Sequence, residues 1–316
     1  PYPRPLRGYI RLRGHRAAMI KTGGSWDSSD RPIWFAAVIE YQVELYKPYY
    51  DYLLVAVNEL GNAKRSGFRE AVAEAINEGK RVFIDSGIFN LTQRHAEKHG
   101  ITMDQALGTA PDDIDGFDEL FALYCNVMSE LGDSAWGYIE MDQGGRENKI
   151  KTRKRLEALG FNPVPVYHPL NDGWDYFDEL ASTYDRICVG NVVQADTETR
   201  KRIIATIYER CREYPDLWVH LLGLTPNPWM NAYPLASCDS STLSSGVRWG
   251  NSKSETSAAL EPISELPRGY IYDRGADPHG ATGWDRANRL SGCTASFTLN
   301  NWRGLVKDYK EAGLYD

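Results

Sequence analysis

Short apolar runs recur along the chain, and most of them end in an acid, a histidine or a glycine. In the run 81–85, Val82, Phe83 and Ile84 lead into Asp85, and Ser86 and Gly87 follow. A run apolar on both faces reads as a buried parallel strand that delivers its last side chain to a sheet edge or a barrel mouth. Runs of the same kind lie at 52–57, 136–142, 164–168, 186–191, 218–225 and 235–239. A shorter one at 17–24, closed by Gly23 and Gly24, is the expected first strand. The aromatic-rich segment 34–50 fits either helix or strand.

Between these runs apolar residues return at helical spacing. The spacing predicts helices at 62–78, 91–100, 116–131, 147–159, 173–182 and 196–213, with a short one near 228–232. The pattern of Phe117, Leu120, Phe121, Tyr124, Val127, Met128 and Leu131 is the most strongly amphipathic. Residues 101–115, around Pro111, Asp112 and Asp113, read as an acidic loop.

About eight strands alternating with helices predict an α/β fold, a (β/α)8 barrel of the TIM type, over residues 1–240. A doubly wound open sheet is the alternative. Both folds place their sites at the C-terminal ends of the strands. There the chain collects Asp85, Asp142, His168, Gly190, Asn191, Gly223 and Asp239. Residues 241–316 are less regular and mix Trp249, Trp284 and Trp302 with Arg248, Arg274, Arg286, Arg289 and Arg303. They are expected to form a C-terminal cap packed on the barrel. The same rings and cations would also suit a nucleic-acid face.

Composition narrows the chemistry. The 316 residues are 42% hydrophobic and 25% charged, enough for one large domain with a sizeable core. No apolar stretch approaches the ~18 residues of a membrane helix. The five cysteines are scattered, which speaks against a disulfide framework and fits a reducing compartment. The expected location is the cytoplasm, of an infected host cell if the protein is viral. No CxxC, GxGxxG or Walker-type loop is present, so no cofactor and no cysteine-rich metal site is expected. His168 and His220 could ligate a metal with an acid, but a satisfied core histidine is commoner.

The net charge of −7 gives no global attraction to nucleic acid. Contacts to DNA would have to come from local basic segments. One is the N-terminal arm with Arg4, Arg7, Arg11, Arg13, Arg16 and Lys21; the others are residues 149–155 and 200–202. The last two fall on expected helices, where a solvated face is the commoner role.

Two carboxylates at one barrel mouth, Asp85 and Asp239, suit glycosyl transfer. One attacks the anomeric carbon and the other carries the proton. A single strand-end Asp is as often a helix cap.

The strand-end motifs also have a recognisable order. These are Asp85, Ser86, Gly87 and Phe89; the acid-ended strand 138–142; Pro165, Val166 and His168; Val189 and Gly190; His220 to Thr225; and Ser237 to Thr242. In this order and spacing the chain resembles the tRNA-guanine transglycosylase superfamily, and within it the phage-type DNA 7-deazaguanine transglycosylases.

The resemblance implies an enzyme, a pentosyltransferase, that exchanges guanine in DNA for a 7-deazaguanine derivative such as preQ0. Asp239 would be the nucleophile and Asp85 the acid/base. Phe89 and Leu222 would cover the two faces of the base. Asn90 stands where the tRNA enzymes carry glutamine. Asp142 would read the guanine edge, and His168 takes the place of a base-contacting glutamine. Gly190 and Asn191 would receive the exocyclic carbonyl. The implied partners are DNA and a free 7-deazaguanine base. The zinc site of the tRNA enzymes has no counterpart, because only Cys293 lies beyond Asp239. The alternatives are a tRNA-guanine transglycosylase-like enzyme, a barrel glycoside hydrolase, and a non-enzymatic nucleic-acid-binding phage protein.

Overall fold

The computed structural model describes residues 19–22, 33–38, 42–44, 47, 51–61, 67–224, 237–241, 251–253 and 260–262. Eight parallel strands form one sheet: β1 (Ile33–Ala37), β2 (Tyr52–Ala56), β3 (Arg81–Asp85), β4 (Gly137–Tyr138), β5 (Val166–Tyr167), β6 (Arg186–Val189), β7 (Trp218–Leu221) and β8 (Ser237–Ser240). Their spatial order is β4-β3-β2-β1-β8-β7-β6-β5. The two ends of this order meet. Glu140 N–H donates to Val164 O at 3.0 Å, and Val164 N–H donates to Tyr138 O at 2.6 Å. The sheet is therefore a closed (β/α)8 barrel and not the open doubly wound alternative.

The helices are α1 (Val57–Leu60), α2 (Phe68–Asn77), α3 (Ile88–His99), α4 (Met103–Gly108), α5 (Phe117–Leu131), α6 (Gly145–Ala158), α7 (Trp174–Thr183) and α8 (Thr197–Cys211). Most long helices turn an apolar stripe to the outer face of the barrel, whereas α6 buries Lys149, Thr152 and Arg153 beside Leu156. On α5 the buried positions are Phe117, Leu120, Phe121, Tyr124, Val127 and Met128.

Two expectations are corrected. The first strand is Ile33–Ala37, inside the segment that fitted either helix or strand. Within the run 17–24, Ile20 makes only an isolated bridge, to Tyr184. Thr22 instead donates from N and Oγ1 to Asp185 Oδ1 at 3.1 and 2.9 Å, at the N-terminal end of β6. This short segment therefore covers the bottom of the barrel, a role its apolar pattern does not distinguish from a strand. The acidic loop 101–115 contains α4 and a 3-10 turn, Pro111–Asp113. Thr102 and Gln105 close a reciprocal capping box at the start of α4.

The C-terminal cap lies outside the described residues, apart from two short antiparallel strands, Asn251–Lys253 and Leu260–Pro262. The arm before residue 19 and the helix expected near 228–232 also lie outside them. No helix among the described residues is long and apolar enough to cross a membrane.

The barrel interior is aromatic. Phe35, Phe83 and Trp136 meet with ring centroids 5.0–5.6 Å apart, and Trp218 packs on Trp136 at 5.3 Å. Tilted and edge-to-face contacts of this kind hold rings in fixed orientations. These rings form a floor beneath the mouth.

Candidate active site

Alternation along the strands decides what stands on this floor. Phe83 points inward, so Asp85, two residues on, also points inward at the mouth. Trp218 and His220 do the same on β7, and Ser237 and Asp239 on β8. The barrel thus brings Asp85 and Asp239 to one place, although 154 positions separate them in the chain. Asp142 joins them, and the charges of Asp142 and Asp239 both act on Asp85.

The three carboxylates are held differently. Asp239 is tied through one oxygen. Its Oδ1 accepts from Gly223 N–H at 2.9 Å and lies 3.1 Å from His220 Nε2. Behind it, His220 Nδ1 lies 2.8 Å from Ser237 Oγ, which accepts from Trp218 Nε1–H at 2.7 Å. An ionised carboxylate only accepts, so His220 Nε2 carries the proton and, in the neutral ring, Nδ1 accepts from the serine. The imidazole also stands edge-on to Phe35 and Phe83, at 5.4 and 5.1 Å. One carboxylate oxygen is therefore fixed by a chain that reaches the aromatic floor. The other has no partner among the described residues.

Asp85 is the opposite case. Burial, then the charges of Asp142 and Asp239, push its carboxyl up to about 7, against the pull of the Gly87 and Ser86 backbone N–H groups. Around neutral pH it can therefore both hold and release a proton. Asp142 is partly buried, and desolvation alone would raise it. His168 and Lys149 outweigh the burial and hold Asp142 below the usual carboxylate range. His168 Nε2 lies 2.7 Å from Asp142 Oδ2.

His168 is placed by a second layer of charges. Lys149 on α6 is fully buried and donates to Asp172 Oδ2 at 2.6 Å and to Val166 O at 3.0 Å. The same Asp172 oxygen accepts from His168 N–H at 2.8 Å. A neighbouring buried pair, Arg153 and Glu140, takes Val166 N–H through Glu140 Oε1 at 2.6 Å. Two cations of the basic segment 149–155 are thus in the core and unavailable to DNA. Of the segment 200–202, Arg200 is spent on the carbonyls of Val192, Val193 and Ala195, and Lys201 pairs with Glu198.

The remaining expected site residues spread around the mouth. Gly190 lies against the His168 ring, where a Cβ would come within 2.8 Å of Nε2, so only glycine fits. Its N–H donates to Tyr167 O at 2.9 Å and is not free for a substrate carbonyl, a correction to its expected role. The Asn191 N–H is without a partner among the described residues. Asn191 has φ of 49° and donates through Nδ2 to Asn171 Oδ1 at 2.5 Å, while its own Oδ1 is buried without a partner among the described residues.

Phe89 and Asn90 sit in the first turn of α3, which starts three residues earlier than expected. Phe89 is 51% exposed. Leu222 is half-buried against the barrel interior. Among the described residues no three His, Cys, Asp or Glu side chains converge closely enough to hold a metal ion.

Sequence reasoning weighs His220 as a metal ligand or a core histidine and connects neither Ser237 nor Trp218 with it, nor Gly223 with Asp239. The signal is present: period-two alternation puts Trp218 and His220 on the face that carries Asp239 across the neighbouring strand. Lys149, Asp172, Glu140 and Arg153 give no such signal, because burial of a charge depends on a partner distant in the chain.

No family model matches the chain, and no curated protein matches it. Among solved structures, some are distantly similar to it. Tryptophan synthase from M. tuberculosis, in a ligand-free form, is 11% identical at a TM-score of 0.43, covering 85% of this chain and 94% of that one. The YdjI aldolase from Escherichia coli K12 is 10% identical at 0.38, covering 89% and 91%. A putative fructose-1,6-biphosphate aldolase from Coccidioides immitis is 9% identical at 0.39, covering 91% and 95%. The architecture of the present chain rests on its own strand order.

Proposed function

We propose that the chain is a transglycosylase that exchanges guanine in DNA for a 7-deazaguanine base. The reading rests on one contrast at the mouth: Asp239 offers an open oxygen beside a tethered one, while Asp85 can hold or release a proton near neutral pH. That is the division of labour a double displacement needs.

The open oxygen of Asp239 attacks C1′ of the deoxyribose as the bond from C1′ to N9 of guanine breaks. Asp85 gives its proton to the departing base. The incoming 7-deazaguanine then loses its N9 proton to Asp85, and N9 attacks C1′ as the ester bond to Asp239 breaks. No phosphodiester is cut. Asp142, ionised beside His168, accepts from the N–H donors on the guanine edge, and Phe89 covers the ring. A base inside a duplex must be flipped or presented single-stranded.

The same pair of acids would serve a hydrolase if water took the place of the incoming base. The deciding experiment is mass spectrometry of nucleosides from DNA and from tRNA, each incubated with the protein and a panel of 7-deazaguanines. A modified deoxynucleoside from DNA, and an Asp239→Asn variant that neither exchanges base nor forms a covalent adduct, are expected. Release of free guanine without incorporation would assign the site to hydrolysis instead. Incorporation into tRNA alone would assign it to the tRNA enzymes.

A further inference from the structure

Outside the mouth, a cleft of about 440 Å³ runs between α1, α3 and the start of α5. Its floor is apolar, made by Leu91, Leu120 and Leu123. Two buried polar atoms beside it, Asn58 Oδ1 and His95 Nδ1, have no hydrogen-bond partner among the described residues. An unmet buried polar atom costs about 1–3 kcal/mol, so such atoms are open to a further partner. Lys98 is already paired with Asp115. Arg94 is different: its Nε reaches Asn90 O at 3.3 Å, and its terminal nitrogens have no partner among the described residues. The cleft therefore offers one available cation, two acceptors (Asn58 Oδ1 and the Glu119 carboxylate) and an apolar floor between them.

That combination selects a ligand with an anionic end, a flat apolar body and N–H donors at the other end. We infer that the cleft is a second binding site, distinct from the barrel mouth, for a nucleotide unit: phosphate on Arg94, base over the leucines, and base N–H groups on Asn58 and Glu119. The placement adds a reason. Asn58 packs against Gly87, two residues from Asp85, and a Cβ on Gly87 would collide with the Asn58 side chain. Gly87 also needs its φ of 74°, so this contact is built into the backbone that carries the acid. A strand of nucleic acid with one base at the mouth would have a neighbouring nucleotide within reach of Arg94, one helical turn beyond Asn90. The inference rests on the nucleic-acid reading of the mouth for the source of this nucleotide.

The test is calorimetric titration of the full chain with dGMP, with deoxyguanosine and inorganic phosphate as separate arms. The variants are Arg94→Glu, Asn58→Leu and Asp142→Asn, each checked for an unchanged melting profile. Arg94 is exposed, so its replacement leaves the core intact. The expected result is dGMP binding that falls at least tenfold in Arg94→Glu and in Asn58→Leu, persists in Asp142→Asn, and exceeds that of either fragment. Binding unchanged in Arg94→Glu, lost in Asp142→Asn, or matched by phosphate alone would overturn the proposal, as would no binding to the wild-type chain at millimolar dGMP. The base-exchange assay is independent of this titration. A chain that binds dGMP in this way but exchanges no base refutes the reading of the mouth and leaves the cleft standing.

Discussion

His220 Nε2 lies 3.1 Å from Asp239 Oδ1, and the histidine ring rests on Phe35 and Phe83. The orientation of the proposed nucleophile is therefore set from the barrel floor. Replacing His220 with Phe keeps the packing and removes the donor. Base exchange should fall roughly 100-fold in kcat, the scale expected when a reacting group is misplaced by about 1 Å. His220→Gln, which can still donate to Oδ1, should recover part of the loss. A Phe variant with wild-type kcat would remove His220 from the mechanism; single-turnover exchange with labelled guanine reads the difference.

Asp85 titrates near 7 in the fold, against a usual carboxylate value of 3.8. The folded state therefore binds this proton more tightly than the unfolded state. Stability from this group is full below about pH 4 and declines as pH rises to about 7. Asp85→Asn removes that loss. The variant should melt at higher temperature than wild type at pH 8, with the gap closing toward pH 4, while base exchange collapses. Thermal melts across that range test the sign directly.

Gly190 leaves no room for a side chain beside His168. Gly190→Ala should push the imidazole off Asp142 at a cost of about 1–3 kcal/mol. Without that partner Asp142 loses the main force holding its carboxyl low, so its titration should move upward. Carboxyl chemical shifts followed by NMR across acid pH would show it, and an unmoved Asp142 would contradict the assignment.

Lys149 and Asp172 form a buried pair whose side chains are 0% and 3% exposed. Lys149→Met leaves a buried carboxylate alone and should cost about 3–5 kcal/mol. Adding Asp172→Asn should return much of that stability, since the uncompensated charge disappears with it. Urea unfolding of the single and double variants gives the coupling, and additive losses would mean that the two residues do not act as a pair.

How far these residues are legible in advance follows from the range of the interactions behind them. Seven of the eight strands are readable because a strand buried on both faces must be apolar throughout. Asp85, Asp142, His168 and Asp239 are readable because each ends a buried apolar run, and together they outnumber what helix capping alone would place there. The first strand is easily misplaced because residues 17–24 and 33–37 are both short apolar runs, and only one of them pairs within the barrel. The helical excursion of α3 and α4 is held to the mouth by Gln143, which accepts from Thr92 and donates to Ala106 O and Thr109 O. Nothing local announces those bonds.

Local chemistry alone is enough for strand identity, helix faces and the kinds of group at the strand ends, because periodicity and side-chain polarity are local properties. Closure of the barrel decided the rest. It placed Asp85 among two other carboxylates, which raises its affinity for a proton. It put His220 behind Asp239 and His168 on Asp142, and it buried Lys149 and Arg153. Each of these depends on distance and dielectric between residues far apart in the chain, and those exist only once the eight strands have met.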